Sequence, residues 1–370
     1  MTLPIHICHF TTVHPRDDVR VFYKQCISLA KEGLKVTLIV ADGKGNEFRN
    51  GVDIIDIGKS SGGRFTRITK TSKTMFNKLL QIDADIYQFH DPELLSTGGK
   101  LKKLGKNVVF DSHEDVPKQI LYKTWLGPLF LRKLFAKVYN KFEKSKVQKL
   151  DGLISVIEEI TNQFDCPRKV TIKNFPIIEY LIEARKPFEK RNDHIVYVGS
   201  ITKPRGVLDY IKAMEKIPEP YRLILIGHFI PAHLLEECKE LPGWNRVDYL
   251  GFKTLDELSQ LLGSAKIGLS VLHAEKNYLQ SLPTKGFEYM AAGLPLIMSD
   301  FEYWKPYFEG CAIHIEPAQS DLIASAIMEL INDSSKYSSL ATEASLKCVH
   351  YSWEGQFKLL HQFYQEILTS

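Results

Sequence analysis

The stretch LQSLPTKGFEYMAAGLPLI, residues 279–297, is the most specific part of the sequence and the best guide to its fold. Pro283 favours the first turn of a helix, and Gly293 followed by Pro295 favours its end. The apolar residues Leu296–Ser299 that come next predict a buried strand. A helix that leads directly into such a strand is the repeating element of an α/β domain.

The same alternation continues in both directions from this stretch. Val19–Glu32 has apolar residues at helical spacing and is followed by Gly33, a typical helix end. From Ser320 onward the pattern predicts helices. Alternating strands and helices build parallel sheets with helices on both faces, so the expected fold class is α/β. The predicted strands are Ile5–Phe10, Lys35–Ala41, Asp53–Ile57, Asp85–His90, Asn107–Ser112, Gly152–Val156, His194–Gly199, Arg222–Gly227, Val247–Gly251, Ile267–Leu272, Leu296–Ser299 and Ala312–Ile315.

The length of the chain and one irregular segment predict two domains. The chain has 370 residues, and one domain takes about 150. Residues 173–193 interrupt the alternation with NFP and a charged stretch, so we place the boundary there, with domains of residues 1–178 and 179–351. Ligands bind beyond the carboxyl ends of parallel strands, and with two domains facing each other the expected site is the cleft between them.

Composition and charge exclude several classes of protein. Apolar residues make up 44% and charged residues 25%, which is typical of globular proteins. No apolar run reaches the roughly 18 residues of a membrane span. Residues 1–180 contain 29 Lys and Arg against 20 Asp and Glu, whereas residues 181–370 contain 19 against 24. The basic first half indicates an anionic partner, but without a recognition motif for nucleic acid we expect no nucleic-acid binding.

The N-terminal residues and the cysteines indicate a cytoplasmic protein. The start of the chain has no basic region before its short apolar stretch and reads as a strand, not as a signal peptide. The six cysteines are scattered without a C-x-x-C pair, which favours reduced thiols and argues against a structural zinc site. We therefore expect no metal and no cofactor.

Polar side chains follow three predicted strands of the first domain, in the segments TTVHPRDDVR, FHDPE and FDSHEDVP. Such positions meet a ligand in parallel sheets. The alternative is a set of polar turns in which Asp17 or Asp18, and Asp91, cap the helices that follow. Histidine with acids beside it at two strand ends is less easily explained in that way. The candidate residues are His14, Arg16, Asp18, Arg20, His90, Asp91, His113 and Glu114.

Two segments of the second domain suit a phosphate group. In YVGSITKPRGVLDYI, residues 197–211, a strand ends at Gly199, and Lys203, Arg205 and Gly206 precede a helix. Small residues let backbone N–H groups approach a phosphate, and the cations neutralise it. A solvated turn is the alternative for this short motif.

The helix that begins near Pro283 is the second of these segments. Its N-terminus offers free N–H groups to an anion such as pyrophosphate. Lys285 and Glu288 are three residues apart and share a face of the helix. The Glu288 carboxylate would accept hydrogen bonds from the two hydroxyls of a ribose.

Residues 122–150 interleave apolar and basic side chains, with Glu143 as the one acid. One interpretation is a core helix with a solvated basic face. The other is a surface that docks on an anionic membrane.

Together these segments resemble glycosyltransferase family 4, retaining enzymes of the GT-B fold. FEYMAAGLP matches the end of the family motif that holds two glutamates, with Glu288 as the second glutamate and Gln280 where the first one usually stands. VGSITKPRG is similar to the family's phosphate loop, with Ser200 at the usual arginine position. HPRDDVRVFYK, FHDPELL and FDSHEDVPKQI resemble a bacterial subgroup that builds capsule, O-antigen and other surface polysaccharides.

The resemblance implies two Rossmann-like domains and a C-terminal helix, at about 352–370, that crosses back to the first domain. It also implies a nucleotide-sugar donor, UDP-linked ahead of GDP-linked, and a glycan or lipid-diphosphate acceptor. The implied catalytic residues are His113, which faces the transferred sugar, Gln280, Asp18, His90 and Asp91. The implied donor-binding residues are Gly199, Ser200, Lys203, Arg205, Gly206, Gly227, Phe252, Ser281, Leu282, Thr284, Lys285 and Glu288; the implied acceptor-binding residues are His14, Arg16, Arg20 and Glu114.

The family's favoured mechanism is front-face attack, in which the departing phosphate accepts the acceptor's proton and no metal is required. The resemblance places such an enzyme in the cytoplasm, peripherally at the inner face of the plasma membrane. Two other hypotheses stay open. One is a nucleotide-sugar epimerase or hydrolase on the same scaffold, and the other is a catalytically silent nucleotide or glycan binder, which Gln280 and Ser200 keep under consideration.

Overall fold

The computed structural model describes residues 4–59 and 67–369. The chain divides into a first unit, Met1–Asn174 with Gln356–Ser370, and a second unit, Phe175–Gly355. The division falls inside the irregular segment 173–193, a few residues before the boundary placed from the sequence.

The first unit is built on an eight-stranded sheet in the order β3-β4-β2-β1-β5-β6-β7-β8. Only the β3–β4 pair is antiparallel among the recorded pairs. The strands are β1 His6–Phe10, β2 Lys35–Val40, β3 Glu47–Arg49, β4 Val52–Asp56, β5 Ile86–Phe89, β6 Val108–Ser112, β7 Gly152–Ser155 and β8 Lys169–Thr171. The helices are α1 Ile27–Lys31, α2 Ser72–Leu79, α3 Leu95–Lys103, α4 Val116–Tyr122, α5 Leu129–Val147 and α6 Glu158–Thr161, with short 3-10 or π segments at Val19–Cys26, Arg67–Thr71, Pro92–Leu94 and Thr124–Leu126.

The register of the first sheet brings the carboxyl ends of β1, β5 and β6 together. Phe10 pairs with Phe89, and Phe89 pairs with Phe110, so the three central strands end at nearly the same level. The rings of Phe89 and Phe110 stack with centroids 4.7 Å apart inside the buried core. The segments that follow these strands therefore emerge side by side.

The second unit contains a six-stranded sheet in the order β11-β10-β9-β12-β13-β14, with parallel pairing throughout. The strands are β9 His194–Val198, β10 Arg222–Ile226, β11 Val247–Gly251, β12 Ile267–Ser270, β13 Leu296–Ser299 and β14 Ala312–Ile315. The helices are α7 Glu179–Glu183, α8 Val207–Met214, α9 Leu234–Lys239, α10 Leu255–Gly263, α11 Lys276–Leu279, α12 Thr284–Ala291, α13 Lys305–Phe308, α14 Ser320–Asn332 and α15 Ser334–Lys347, with 3-10 turns at Phe188–Lys190, Lys203–Arg205, Pro242–Arg246 and Cys348–Tyr351. The last helix, α16 Trp353–Leu368, continues from this unit into the first.

The second sheet is buried on both faces because its side chains alternate between two apolar cores. Ile195 and Tyr197 of β9 lie in one core, and Val196 between them lies in the other. Alternation of this kind follows from the two-residue period of a strand. It explains why the strands read as nearly continuous apolar runs in the sequence.

The main differences from the predicted strands are at the sheet edges. β3 and β8, with three residues each, were not predicted. Both lie at the ends of the first sheet, and their residues are half-buried or exposed, so they lack the apolar pattern of a central strand. The predicted strands all correspond to observed ones, mostly shortened by one or two residues at their ends.

Within residues 4–59 and 67–369, no helix combines the length and the apolar character that a membrane span requires. All six cysteines are buried and free, as expected from their scatter in the sequence.

Candidate functional site

The first of two candidate groups lies at the start of α12, Thr284–Ala291, in the second unit. Pro283 occupies the N-cap position with an extended backbone, and proline has no side-chain acceptor for the first-turn N–H groups. An N-terminus without a side-chain cap leaves donors for an anion. The predicted helix start at Pro283 is confirmed.

The other end of α12 is closed by two arginines. Arg185 Nε donates to the Ala291 carbonyl at 2.6 Å, and Arg191 donates to the carbonyls of Ala292 and Gly293 at 3.1 Å each. Gly293 has a φ of 67°, which ends the helix in the left-handed region. Cations at a helix C-terminus stabilise the helix, so α12 is well anchored away from its open N-terminus.

Lys285 in the first turn of α12 is buried without a hydrogen-bonding partner. Its side chain is only 8% exposed, and Nζ has no hydrogen-bond partner among the described residues. Nζ lies 3.7 Å from the centroid of the Tyr197 ring, a cation–π contact. Burial, and then the nearby charge of Arg205, lowers the pKa of Lys285 well below its usual value. A buried, unsatisfied ammonium is costly and marks a candidate functional position.

Arg205 reaches the same place from the loop after β9. A Cβ atom built on Gly199 would lie 3.5 Å from Arg205 Nη1 and 3.8 Å from Lys285 Nζ, so both cations approach one point on the backbone. The hydrogen bonds of Arg205 to the Ser200 carbonyl and the Tyr278 hydroxyl, at 3.5 and 3.4 Å, are long. The guanidinium is therefore only weakly engaged by the protein.

The glycines around this point permit close approach of the backbone. A Cβ atom at Gly206 would lie 2.4 Å from the Val271 carbonyl oxygen, and one at Gly227 would lie 2.0 Å from the Gly199 oxygen. Both residues also have positive φ values, 79° and 136°. Because glycine has no Cβ atom, the backbones at the ends of neighbouring strands can lie this close together.

Lys203 was predicted to bind the donor, but the structure places it elsewhere. Its ammonium forms an ion pair with Glu237 of α9 at 2.7 Å, and both side chains are solvent-exposed. Leu282, also predicted to bind the donor, is partly buried and packs against the apolar core of the second unit. The backbone of Ser281 accepts a hydrogen bond from Trp304 Nε1 at 2.6 Å, which fixes the approach to α12.

The remaining predicted residues in and just before α12 differ in their exposure to solvent. Glu288 and Thr284 are half-buried, whereas Gln280 and Ser281 are exposed. The charge of Glu288 acts on Lys285, as expected for residues on one helix face.

The ends of β10 and β11 present two flat rings. His228 and Phe252 stack with centroids 5.9 Å apart and an interplanar angle of 10°. Both side chains are exposed. Phe252 was predicted as a site residue and His228 was not, although His228 directly follows the predicted Gly227.

Sequence reasoning also missed His273 and Asp209. His273 Nε2 lies 2.7 Å from an Asp209 carboxylate oxygen, and the His273 amide donates to the Pro204 carbonyl at 2.8 Å. The first contact ties the segment after β12 to α8, and the second ties it to the loop that carries Arg205. A histidine just after a strand was the available signal, as it was for His90.

The second candidate group lies in the first unit, after β1, β5 and β6. The structure brings together the three predicted histidines that follow these strands. The ring centroids of His14 and His113 are 4.9 Å apart, those of His90 and His113 are 5.5 Å apart, and those of His14 and His90 are 6.3 Å apart.

Asp111 is the centre of this group, and it was not predicted. One carboxylate oxygen, Oδ2, lies 3.3 Å from His90 Nδ1 and 3.1 Å from His113 Nε2. Arg20 and Gln25 donate to the same carboxylate at 2.9 and 2.6 Å. Burial alone would raise the pKa of Asp111, but the Arg20 charge and the two histidines hold it well below its usual value.

Arg16 and Arg20 were predicted to bind an acceptor, and the structure corrects this role. Arg20 is buried between Asp111 and the Ile172 carbonyl, 2.9 Å from Nη1. Arg16 is buried against Asp42, with two contacts of 2.8 Å, and Glu47 at 3.0 Å. A buried guanidinium needs such partners, so both arginines position other groups and have few donors left for a ligand. Glu114 remains exposed.

Of the two aspartates expected to cap helices in this group, Asp18 does so and Asp91 does not. Asp18 caps the helical segment Val19–Cys26 by accepting from the Arg20 and Val21 amides, and it lies 3.1 Å from His14 Nδ1. Asp91 makes no side-chain cap bond, so its predicted N-cap hydrogen bond is wrong. It accepts instead from the hydroxyls of Thr11 and Thr12 at 3.0 and 3.1 Å.

Asp18 also affects the charge of His14. Burial opposes protonation of His14, but the Asp18 hydrogen bond and the Asp91 charge raise its pKa overall. Conversely, despite burial, His14 helps to lower the pKa of Asp18 to about 2.

His90, Asp111 and His113 have the composition of a metal site. One potential ligand atom from each lies within 4.8 Å of the others. The Asp111 carboxylate already accepts hydrogen bonds from Arg20 and Gln25. Those hydrogen bonds account for its charge without a cation.

Residues 192–333 match the family model described as Glycosyl transferases group 1. The matched residues all lie within the second unit, Phe175–Gly355. A curated relative, an uncharacterized glycosyltransferase of Methanocaldococcus jannaschii, is 29% identical over 164 residues, which is 42% of this chain and 40% of the relative. The chain thus spans less than half the length of that relative.

Solved structures resemble the chain along nearly its whole length. A glycosyltransferase from Rickettsia africae has a TM-score of 0.72 at 14% identity and 99% coverage of both chains. Sucrose-phosphate synthase from Thermosynechococcus elongatus has a TM-score of 0.71 at 15% identity, again with 99% coverage of both. HepE from Anabaena, in complex with UDP, has a TM-score of 0.70 at 11% identity, covering 98% of this chain and all of HepE. At these identities the likeness establishes the fold, which is GT-B with two Rossmann-like domains.

Proposed function

We propose that the protein is a retaining glycosyltransferase of family 4, which moves a sugar from a nucleotide-diphosphate donor to a glycan or lipid-linked acceptor. The group 1 domain and the M. jannaschii relative support the transferase class. The observation that carries the proposal is Lys285, a buried ammonium without a hydrogen-bond partner among the described residues, beside Arg205 at an uncapped helix start.

The donor's diphosphate is the anion that this arrangement suits. The side chains of Arg205 and Lys285 converge near Gly199, so a dianionic group there would gain charge-assisted hydrogen bonds. HepE, a structural neighbour, is described with UDP and with UDP-glucose. This favours a uridine donor over a guanosine donor as the first to test.

The nucleoside would use the rest of the second unit. The stacked pair of His228 and Phe252 offers an exposed π surface for a base. Glu288, on the same helix as Lys285, would accept hydrogen bonds from the ribose hydroxyls.

In the proposed reaction the bond from the anomeric carbon to the donor phosphate breaks, and a bond to the acceptor oxygen forms on the same face. The acceptor's proton passes to the departing phosphate oxygen. Lys285 and Arg205 stabilise the charge that grows on the diphosphate, which is the largest electrostatic demand of the step. These two cations would neutralise the diphosphate without a metal.

The first unit would handle the sugar and the acceptor. His113 is proposed to contact the transferred sugar, with Asp111 fixing its ring orientation. His14 is proposed to orient the acceptor, and the buried His90 to position His113, whose Nε2 atom lies 3.4 Å from His90 Nδ1. Asp18 and Asp91 are proposed to hold the loop that carries His14.

We further propose a role in bacterial surface-polysaccharide synthesis, capsule or lipopolysaccharide, at the inner face of the plasma membrane. The motifs HPRDDVRVFYK and FHDPELL support this assignment. A lipid-diphosphate acceptor would fit the basic first half of the chain.

A catalytically silent nucleotide binder is the second candidate. Gln280 favours it, because an uncharged side chain stands where family 4 usually has a glutamate, and in this structure it is exposed. Such a protein would bind the donor without transferring the sugar.

The first experiment is a thermal-shift series with UDP, GDP and their sugars, since a bound ligand raises apparent stability. Arg205→Ala and Glu288→Ala should each weaken donor binding or turnover by about 1–3 kcal/mol, as expected for loss of a charged hydrogen bond. Lys216→Ala, at an exposed ion pair with Asp321, serves as the control and should behave as wild type.

Wild-type donor binding in both site variants would refute the donor assignment. Donor binding without transfer to any of a broad set of acceptors would support the silent binder instead. Conversion of the donor sugar without an acceptor would indicate an epimerase or hydrolase.

A further inference from the structure

Helices α4 and α5 of the first unit expose a large apolar surface. Trp125 is 75% exposed, Phe130 69%, Leu134 53% and Val138 62%. An interpretation of residues 122–150 as a core helix is therefore wrong for this side. We call the surface the α4–α5 face and define it as Tyr122, Trp125, Phe130, Lys133, Leu134, Lys137, Val138, Lys141 and Phe142.

The exposed side chains of α5 form two adjacent rows. Residues four apart lie one above another on a helix. Phe130, Leu134, Val138 and Phe142 therefore form an apolar row, and Lys133, Lys137 and Lys141 form a basic row beside it.

The opposite side of α5 provides its attachment to the protein. Ala136, Glu143 and Val147 are the buried residues of this helix. The apolar row therefore exceeds what the helix needs for packing in the first unit. An apolar surface of this kind marks an interaction site.

The charge of the face has a single sign. Lys133, Lys137 and Lys141 form no ion pair within residues 4–59 and 67–369, and all three are exposed. Glu143, the one acid of residues 122–150, is buried. An occupant of this face must therefore be both apolar and anionic.

Two aromatic residues precede α5 at the rim of the face. Tyr122 ends α4, and Trp125 lies in the turn Thr124–Leu126. Arg132 of α5 donates to the Leu121 carbonyl and fixes this turn against the helix. Trp and Tyr are enriched where proteins meet the membrane–water interface.

We infer that the α4–α5 face docks the protein on an anionic lipid bilayer. The apolar row and Trp125 enter the boundary between headgroups and acyl chains, and the lysine row contacts the anionic headgroups. A second copy of the chain fits the face less well, because a symmetric contact would bring two lysine rows together. This inference goes beyond the proposed transfer reaction and uses none of the donor-binding residues.

The test is cosedimentation of the full chain with two kinds of vesicle. One kind contains equal parts of phosphatidylglycerol and phosphatidylcholine, and the other contains phosphatidylcholine alone. We expect binding to the anionic vesicles that is at least ~10-fold stronger than to the neutral ones and that weakens with salt.

Two variants separate the contributions of the rows. K133E/K137E/K141E reverses the basic row, and F130S/L134S/V138S removes the apolar row. Each should reduce binding to anionic vesicles at least ~10-fold. The matched control, K186E/K190E/K212E, makes the same change in net charge at exposed lysines of the second unit and should retain binding.

Several outcomes would overturn the inference. These are no wild-type binding to anionic vesicles, binding as strong as that of wild type in both row variants, or a loss in the control variant equal to the loss in the row variants. A concentration-dependent dimer that F130S/L134S/V138S disperses, without vesicle binding, would assign the face to a second copy. Titrating UDP into the same variants keeps the tests apart, because donor affinity should be unchanged in all three.

Discussion

The two candidate groups differ in whether their buried ionisable side chains have partners within the protein. In the first unit, Asp111 and Arg20 are both buried, and each has its charge met by protein partners. In the second unit, Lys285 is also buried, but its Nζ atom has no hydrogen-bond acceptor among the described residues and lies near Tyr197 and Arg205. One arrangement is complete, and the other lacks an anion.

This difference indicates what each group is for. A satisfied network fixes side-chain geometry, so the first unit holds His90 and His113 in defined positions. An unsatisfied cation costs stability that a bound anion can restore. Electrostatic preorganisation of this kind is what stabilisation of a leaving diphosphate requires.

Breaking the complete network should have the largest effect. Asp111→Asn leaves the buried Arg20 guanidinium without its counter-charge, so we expect a loss of about 3–5 kcal/mol in the free energy of unfolding. Urea denaturation measures it. Asp83→Asn, at an exposed ion pair with Lys106, is the control and should leave the free energy of unfolding close to that of wild type. Equal effects of the two substitutions would mean that Asp111 does not hold the network.

Removing the unsatisfied cation should change stability in the opposite direction. Lys285→Met should raise the free energy of unfolding of the ligand-free protein by about 1–2 kcal/mol, a size typical of relieved functional sites. The pKa of Lys285 is lowered in the folded state, so the unfolded chain binds the proton more tightly and wild-type stability rises with pH. The gain in the variant should therefore shrink as the pH approaches the usual pKa of lysine.

That pH series is measured by urea denaturation from neutral to alkaline pH. A destabilised Lys285→Met variant would show that the lysine serves packing. Lys216→Met, at an exposed position, should show no such pH dependence.

The first unit also contains a buried ionisable group that lacks a full set of partners, the Glu143 carboxyl. Its Oε1 atom is buried without a hydrogen-bond partner in the described part of the chain, and burial raises its pKa to about 7. A carboxyl whose pKa is raised on folding binds its proton more tightly in the folded state, so stability falls as the pH rises from the unfolded value toward 7.

Glu143→Gln should therefore gain about 1 kcal/mol over wild type above pH 7 and little near pH 5. Thermal unfolding at the two pH values measures this gain. A variant that is equally stable relative to wild type at both values would contradict the assignment.

The smallest expected effect is that of metal removal. Because Arg20 and Gln25 already occupy the Asp111 carboxylate, treatment with a chelator should leave sugar transfer unchanged. Loss of transfer that added zinc or manganese restores would instead show that His90, Asp111 and His113 bind a cation.

Sequence reasoning reached the fold because burial on both faces leaves an apolar run in each central strand. It failed at β3 and β8, whose short edge positions carry no such pattern. It selected Lys285 as a candidate through its place after Pro283, which is a local signal. It could not find that the ammonium is buried, because that depends on Tyr197, 88 positions away along the chain.

The errors at the first site have the same origin. Arg16 and Arg20 looked like ligand-binding cations, since their partners Asp42 and Asp111 lie far away in the sequence. Asp111 lies within an apolar strand. In the sequence it is one polar residue of the segment FDSHEDVP, and nothing there indicates that it is the centre of the histidine group. Long-range pairing decides whether a charge is free or satisfied, and spacing along the chain does not reveal it.

The most direct test of the central claim is calorimetric titration of UDP into wild type and Lys285→Met, in two buffers of different ionisation enthalpy at one mildly alkaline pH. A bound diphosphate should raise the pKa of Lys285 toward its usual value, so wild type should take up more protons on binding than the variant, and the variant should bind at least ~10-fold more weakly. Equal UDP affinity in the two proteins, or binding by wild type without a difference in proton uptake from the variant, would contradict the account.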